Sequence, residues 1–127
     1  MLGIDIIKTA RMEALLEKFQ ERALERFLSK EEIDLVTNHT TAAGFWAAKE
    51  AFSKALGVGI GKACGFHDIK IYKSEKGAPK LALSKKIIEK FSILEVALSI
   101  THDGAYAVAV VDVKLERSAT TDKVKQF

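Results

Sequence analysis

Apolar and polar positions divide the chain into an opening strand, a helical first half and a strand-rich second half. Leu2, Gly3, Ile4, Ile6 and Ile7 form an apolar run interrupted only by Asp5, the pattern of a buried strand. Met12, Leu15, Leu16 and Phe19 then recur at helical spacing and predict a helix over 10–20, with Thr9 as its cap. The stretch 21–28 continues helically or turns. Ser29 and Glu32 have the spacing of a capping box and open a short helix that ends near Asn38. A long helix runs from Thr40 or Thr41 to Gly57, a natural left-handed terminator.

In the second half the period changes to two. Residues 66–73 predict a strand in which Ile69 and Ile71 alternate with Lys70 and Tyr72; Glu75, Lys76 and Gly77 supply a turn, and 79–83 return as a second arm. Ser84 caps a helix to about Phe91. Residues 96–101 and 105–114 predict a hairpin around His102, Asp103 and Gly104, its second arm rich in Val and Ala and therefore buried. Residues 115–127 read as a polar, frayed tail. The predicted class is α+β, an antiparallel sheet packed against one long helix and shorter helices, in a single domain over 1–114.

Composition narrows the function. At 127 residues and 48% hydrophobic, the chain suits one compact domain. A net charge of +3 suits an acidic partner or a phosphate-rich ligand. The basic residues are scattered and no aromatic platform is interleaved with them on the strands, which speaks against nucleic acid. The lone Cys64 excludes an internal disulfide, and no run approaches the roughly 18 apolar residues of a membrane span. The N-terminus lacks a basic-then-apolar leader pattern, so the expected location is the cytoplasm.

Candidate chemistry centres on the long helix. At about 100° per residue, Phe45, Ala48, Phe52, Ala55 and Leu56 fall on one side and Trp46, Lys49, Glu50, Ser53 and Lys54 on the other. Glu50 and Lys54, one turn apart, read alone as a solvated surface pair. Asp5, inside an apolar strand, needs a hydrogen-bond partner, a cation or a raised pKa, unless it lies on an edge and points to water. The glycines before Lys62 fail the phosphate-loop pattern, with Leu56 where a glycine belongs and Ala63 where Ser or Thr belongs. They follow a helix, so they are no dinucleotide fingerprint either. The His67-Asp68 and His102-Asp103 pairs lack the further ligands of a metal phosphohydrolase, and no Gly-x-Ser-x-Gly turn supports a serine nucleophile.

Gly3-Ile4-Asp5-Ile6, Arg11, Ala43-Gly44, the run Ala47-Ala48-Lys49-Glu50-Ala51-Phe52-Ser53-Lys54-Ala55-Leu56-Gly57, Gly59-Ile60-Gly61, Phe66 with Asp68-Ile69, and Ser99-Ile100-Thr101-His102 keep a particular order and spacing. In these residues the chain resembles the holo-acyl-carrier-protein synthases, the short class of 4'-phosphopantetheinyl transferases, from about Leu2 to Val111. The resemblance implies transfer of the 4'-phosphopantetheine arm of coenzyme A to a serine of apo acyl carrier protein, for fatty acid biosynthesis, with release of 3',5'-ADP. A non-catalytic module that binds coenzyme A or an acidic protein is the alternative; the presence of both carboxylates argues against it.

The resemblance further implies Mg²⁺ held by Asp5 and Glu50, one of which accepts the serine proton directly or through water. Lys54 would stabilise or protonate the departing phosphate oxygen. Implied coenzyme contacts are Lys54, Gly57, Gly59, Gly61, Lys62, Pro79 and His102, the last on the phosphate of the ribose. Implied carrier contacts are Arg11, Arg22 and Arg26. Because Glu13, Glu17, Glu21 and Glu25 are interleaved with these arginines, a self-paired solvated face is the alternative for Arg22 and Arg26. Family members of this length assemble as homotrimers with sites between subunits. The chain departs from the family at Phe45 and Trp46, where Arg-Phe is usual, at Ala78, where Lys is usual, and at Asp103, where a neutral residue is usual; an aspartate there opposes a phosphate unless it faces away.

Overall fold

Ala107, Ala109, Val111 and Val113 alternate along Tyr106–Leu115 and are buried, which makes this last strand, β5, the centre of a sheet. In chain order the elements of the computed structural model, which describes residues 1–116 and 124–126, begin with β1 (Leu2–Lys8), α1 (Thr9–Phe19), α2 (Glu21–Glu25), α3 (Lys30–Ile33) and α4 (His39–Ala55). A 3-10 turn at Phe66–Asp68 leads into β2 (Ile69–Lys73), β3 (Pro79–Leu83), α5 (Lys85–Phe91), β4 (Ile93–His102) and β5. The architecture is the expected α+β, with its strands divided between two antiparallel sheets, β1-β5-β4 and β2-β3. Most of the polar tail expected over 115–127 lies outside the described residues.

The long helix α4 lies on the larger sheet, and small side chains permit close contact. It buries Ala42, Ala43, Ala47, Ala48, Ala51 and Ala55 over the alanines of β5. The closest approach is at Gly3. A Cβ there would fall on the Ala51 carbonyl oxygen and within 2.6 Å of the Ala55 nitrogen, so β1 and α4 touch backbone to backbone at that point. Asn38 starts α4 by accepting the Thr41 N–H at 3.0 Å, so the helix begins at His39, just ahead of the expected Thr40 or Thr41.

Other differences have local causes. Thr9 does not cap α1; it is the first helical residue, buried, and its hydroxyl donates to the Gly104 carbonyl, tying α1 to the β4-β5 turn. The expected strand at Phe66 begins only at Ile69, because Asp68 accepts the Gly65 N–H at 3.0 Å and winds the intervening residues into a turn. β1 is buried on one face alone. Gly3 and Ile7 face α4, while Leu2, Ile4 and Ile6 are 74%, 61% and 61% exposed.

Candidate active site

Strand alternation puts Asp5 on the same face of β1 as Gly3, against α4. Its side chain is only 13% exposed, and its Oδ1 accepts a hydrogen bond from Lys54 Nζ at 2.7 Å. The lysine therefore reaches across to the strand. Among the described residues it forms no ion pair with Glu50, the partner that helical spacing alone offers. Glu50 remains beside this pair. Burial and the Asp5 charge push its carboxyl above the ordinary value, against the opposing pull of Lys54 and Arg11. Thus β1, α4 and α1 converge on a site with two neighbouring carboxylates, one ammonium and one guanidinium.

These oxygens fit a hard divalent cation. Two carboxylates that oppose each other's charge are relieved by a cation between them, and magnesium leaves its remaining positions to water and substrate phosphate. No group of three or more His, Cys, Asp and Glu side chains able to hold a metal gathers among the described residues.

Arg11 also lines a cavity of about 200 Å³ with Leu15, Phe19, Ala23, Arg26, Phe27 and Trp46. Two of the three predicted carrier-binding arginines thus share one cavity, and Arg22 does not line it. None of the three is ion-paired among the described residues; Glu13 pairs instead with His39, at 3.2 Å. Trp46, expected on the polar side of α4, packs edge-on against Phe27, with centroids 5.1 Å apart, and at a tilt against Phe66, at 4.9 Å.

Gly57 and Gly59 continue from the end of α4 with φ of 76° and 68°, the left-handed backbone that favours glycine. Gly61 and Lys62 follow in the same loop. Pro79 and His102 are brought together with Phe45, Lys73 and Thr41 around a second cavity of about 200 Å³. Asp103 is outside that lining; its Oδ1 accepts the N–H groups of Ala105 at 2.9 Å and Tyr106 at 2.8 Å, bonds that hold its carboxyl below the ordinary value. Its role is in the hairpin turn. Asp68 is likewise engaged, by Gly65, Ser84 and Lys86, and burial pushes the Cys64 thiol up to about 11, which leaves it an inert core group.

Lys49 is the principal correction. The helical wheel groups it with Glu50 and Lys54 on the polar side, yet it is wholly buried, as is Glu32. Its ammonium donates to the Phe27 carbonyl at 2.6 Å, Glu32 Oε1 at 2.9 Å and the Phe66 carbonyl at 3.1 Å. Glu32 Oε1 also accepts the Ser29 N–H, and Oε2 accepts the Ile71 N–H, both at 2.9 Å. Burial pulls the lysine's pKa down while the Glu32 charge pushes it up. The capping-box spacing locates Glu32, but nothing local in the sequence identifies its partner 17 residues on.

The sequence pattern of the 4'-phosphopantetheinyl transferase superfamily matches residues 1–111. The holo-[acyl-carrier-protein] synthase of Sulfurimonas denitrificans is 65% identical over 114 residues, covering 90% of this chain and 94% of that protein. The same-named protein of Wolinella succinogenes is 53% identical over 118 residues, covering 93% and 100%. In three dimensions the chain is similar to the crystal structure of Helicobacter pylori holo-[acyl-carrier-protein] synthase in complex with coenzyme A, with a TM-score of 0.87, 50% identity, and coverage of 90% of this chain and 100% of that one. The convergence of Asp5, Glu50 and Lys54 thus occurs in a chain that belongs to the 4'-phosphopantetheinyl transferase superfamily and, within it, to the holo-acyl-carrier-protein synthases.

Proposed function

We propose that this protein transfers the 4'-phosphopantetheine group of coenzyme A to a serine of apo acyl carrier protein, with 3',5'-ADP as the other product, in a magnesium-dependent reaction that serves fatty acid biosynthesis. The observation that carries the proposal is the placement of Glu50 beside the Asp5–Lys54 pair, in a chain of this family.

Asp5 and Glu50 are the residues that would hold magnesium. When bound, the ion supplies charge neutralisation on the pyrophosphate of coenzyme A. Glu50 or Asp5, directly or through a water, accepts the proton of the attacking serine hydroxyl. The serine oxygen forms a bond to the phosphorus that carries pantetheine, and the bond from that phosphorus to the bridging oxygen breaks. Lys54, half exposed, can turn its ammonium from Asp5 to the departing phosphate oxygen and stabilise or protonate it there.

The glycine loop from Gly57 to Lys62, together with the cavity of Pro79 and His102, supports a coenzyme site along α4. Backbone amides of glycine approach phosphate closely, and Lys62 and His102 add donors. Arg11 and Arg26 suit carboxylates of an acidic carrier protein, with Arg22 as an outlying contact. The exposed Leu2, Ile4 and Ile6, continued by Tyr106 and Val110 of β5, support a homotrimer with sites between subunits. No helix among the described residues is long and apolar enough to cross a membrane, and a cytoplasmic location agrees with this.

The test is intact-mass spectrometry of an apo acyl carrier protein incubated with this protein and coenzyme A, with magnesium or with chelator. The expected result is a gain of one phosphopantetheine group with magnesium alone. No gain, with coenzyme and carrier still bound, would mean that the fold is kept and the chemistry lost.

A further inference from the structure

We infer that the buried Glu32–Lys49 pair is a positioning device for the Gly57–Gly65 loop, fastening the loop's far end to the helix that carries Glu50 and Lys54. The near end is already fixed to α4: the Gly57 N–H donates to the Lys54 carbonyl at 2.9 Å, and the Val58 and Gly59 N–H groups donate to the Ser53 carbonyl at 3.2 Å. At the far end the Phe66 carbonyl accepts from Lys49 Nζ, and the Phe66 ring packs on Trp46, one turn before Glu50. Both ends are therefore referred to one helix.

The ammonium has three hydrogens, and Phe27, Glu32 and Phe66 take all of them. No donor remains for a ligand, so Lys49 acts through what it holds. Between its anchors Cys64 is buried in the core and Ile60 packs against it, while the glycines are little constrained. Gly57, Gly59 and Gly61 have open space where a side chain would be, and the bond from Gly61 N–H to the Cys64 carbonyl, at 2.9 Å, closes only a local turn. A glycine-rich segment freed at one end samples more conformations, and a phosphate ligand that needs its amides must then order them on binding. The inference rests on the proposal that this loop meets coenzyme A.

The experiment compares the wild type with the Glu32→Gln/Lys49→Met double variant, which removes both charges at nearly constant volume. We expect amide hydrogen exchange across 57–65 to quicken about tenfold or more, the KM for coenzyme A to rise about tenfold, and kcat to stay within about twofold. Unchanged loop exchange in the folded variant overturns the inference. Quickened exchange supports it, and KM then reports separately on the loop: an unchanged KM counts against the coenzyme contact and not against the anchor. If the double variant does not fold, Glu32→Asp keeps both charges and shortens the reach. Quickened loop exchange in that variant supports the anchor, and exchange like the wild type overturns it.

Discussion

Glu50 combines two properties that oppose each other in an isolated protein. Burial and Asp5 raise its pKa above 4.5, so over the interval from that ordinary value to the folded one the native state binds more protons than the unfolded chain. Its contribution to stability is full below the unfolded value and is lost as pH rises through the folded one. At pH 8 in chelator, Glu50→Gln should therefore melt higher than the wild type. The same substitution should abolish magnesium-dependent turnover, and magnesium should raise the melting temperature of the wild type more than that of the variant. A variant that melts lower, or one that keeps full activity, removes Glu50 from this role. Asp5 stands out in the sequence because a carboxylate inside an apolar run needs a partner, whereas Glu50 reads alone as half of a solvated pair and is singled out only by the family resemblance. The identity of the Asp5 partner was not legible, because the Lys54–Asp5 bond joins positions 49 residues apart.

Between elements, the decisive contact is that of β1 with α4. Gly3→Ala forces a methyl against main-chain atoms that cannot rotate away. We expect a loss of about 3 kcal/mol in denaturant unfolding, the upper range for overpacking, and a fall in kcat of about a hundredfold from displaced Asp5. Stability and kcat both like the wild type would show that the two elements separate without consequence. Helix and strand types were readable from period, but the ends were less so. Thr9 and Phe66 were misplaced because contacts from Gly104 and Asp68 decide whether those residues cap, wind or extend. Lys49 was misplaced for a related reason: a wheel ranks positions by the company they keep on one helix, while the Phe27 and Phe66 carbonyls that satisfy this lysine come from elsewhere.

At the scale of the molecule, the sequence and the single chain differ over β1. Apolar residues at Leu2, Ile4, Ile6 and Ile7 read as a strand covered on both sides, yet one side is open, and Val110 of the neighbouring strand extends the open surface opposite Ile4. The proposed trimer accounts for that difference. Ile4→Lys should lower the mass seen in analytical ultracentrifugation to that of one chain, and the melting temperature of the wild type should rise with protein concentration. A wild-type protein that is monomeric at tens of micromolar, the order of concentration of such experiments, would leave the apolar face unexplained by self-association.

The touching backbones at Gly3 and Ala51 also bear on how this site can be redesigned. One carboxylate stands two residues along the strand from that contact, and the other stands beside it on the helix. Their main-chain spacing is thus set by atoms that no substitution elsewhere in the core replaces. Altered preference of the proposed cation site is then to be sought in side-chain reach, exchanging aspartate and glutamate at positions 5 and 50, because the scaffold behaves as a caliper with a locked jaw.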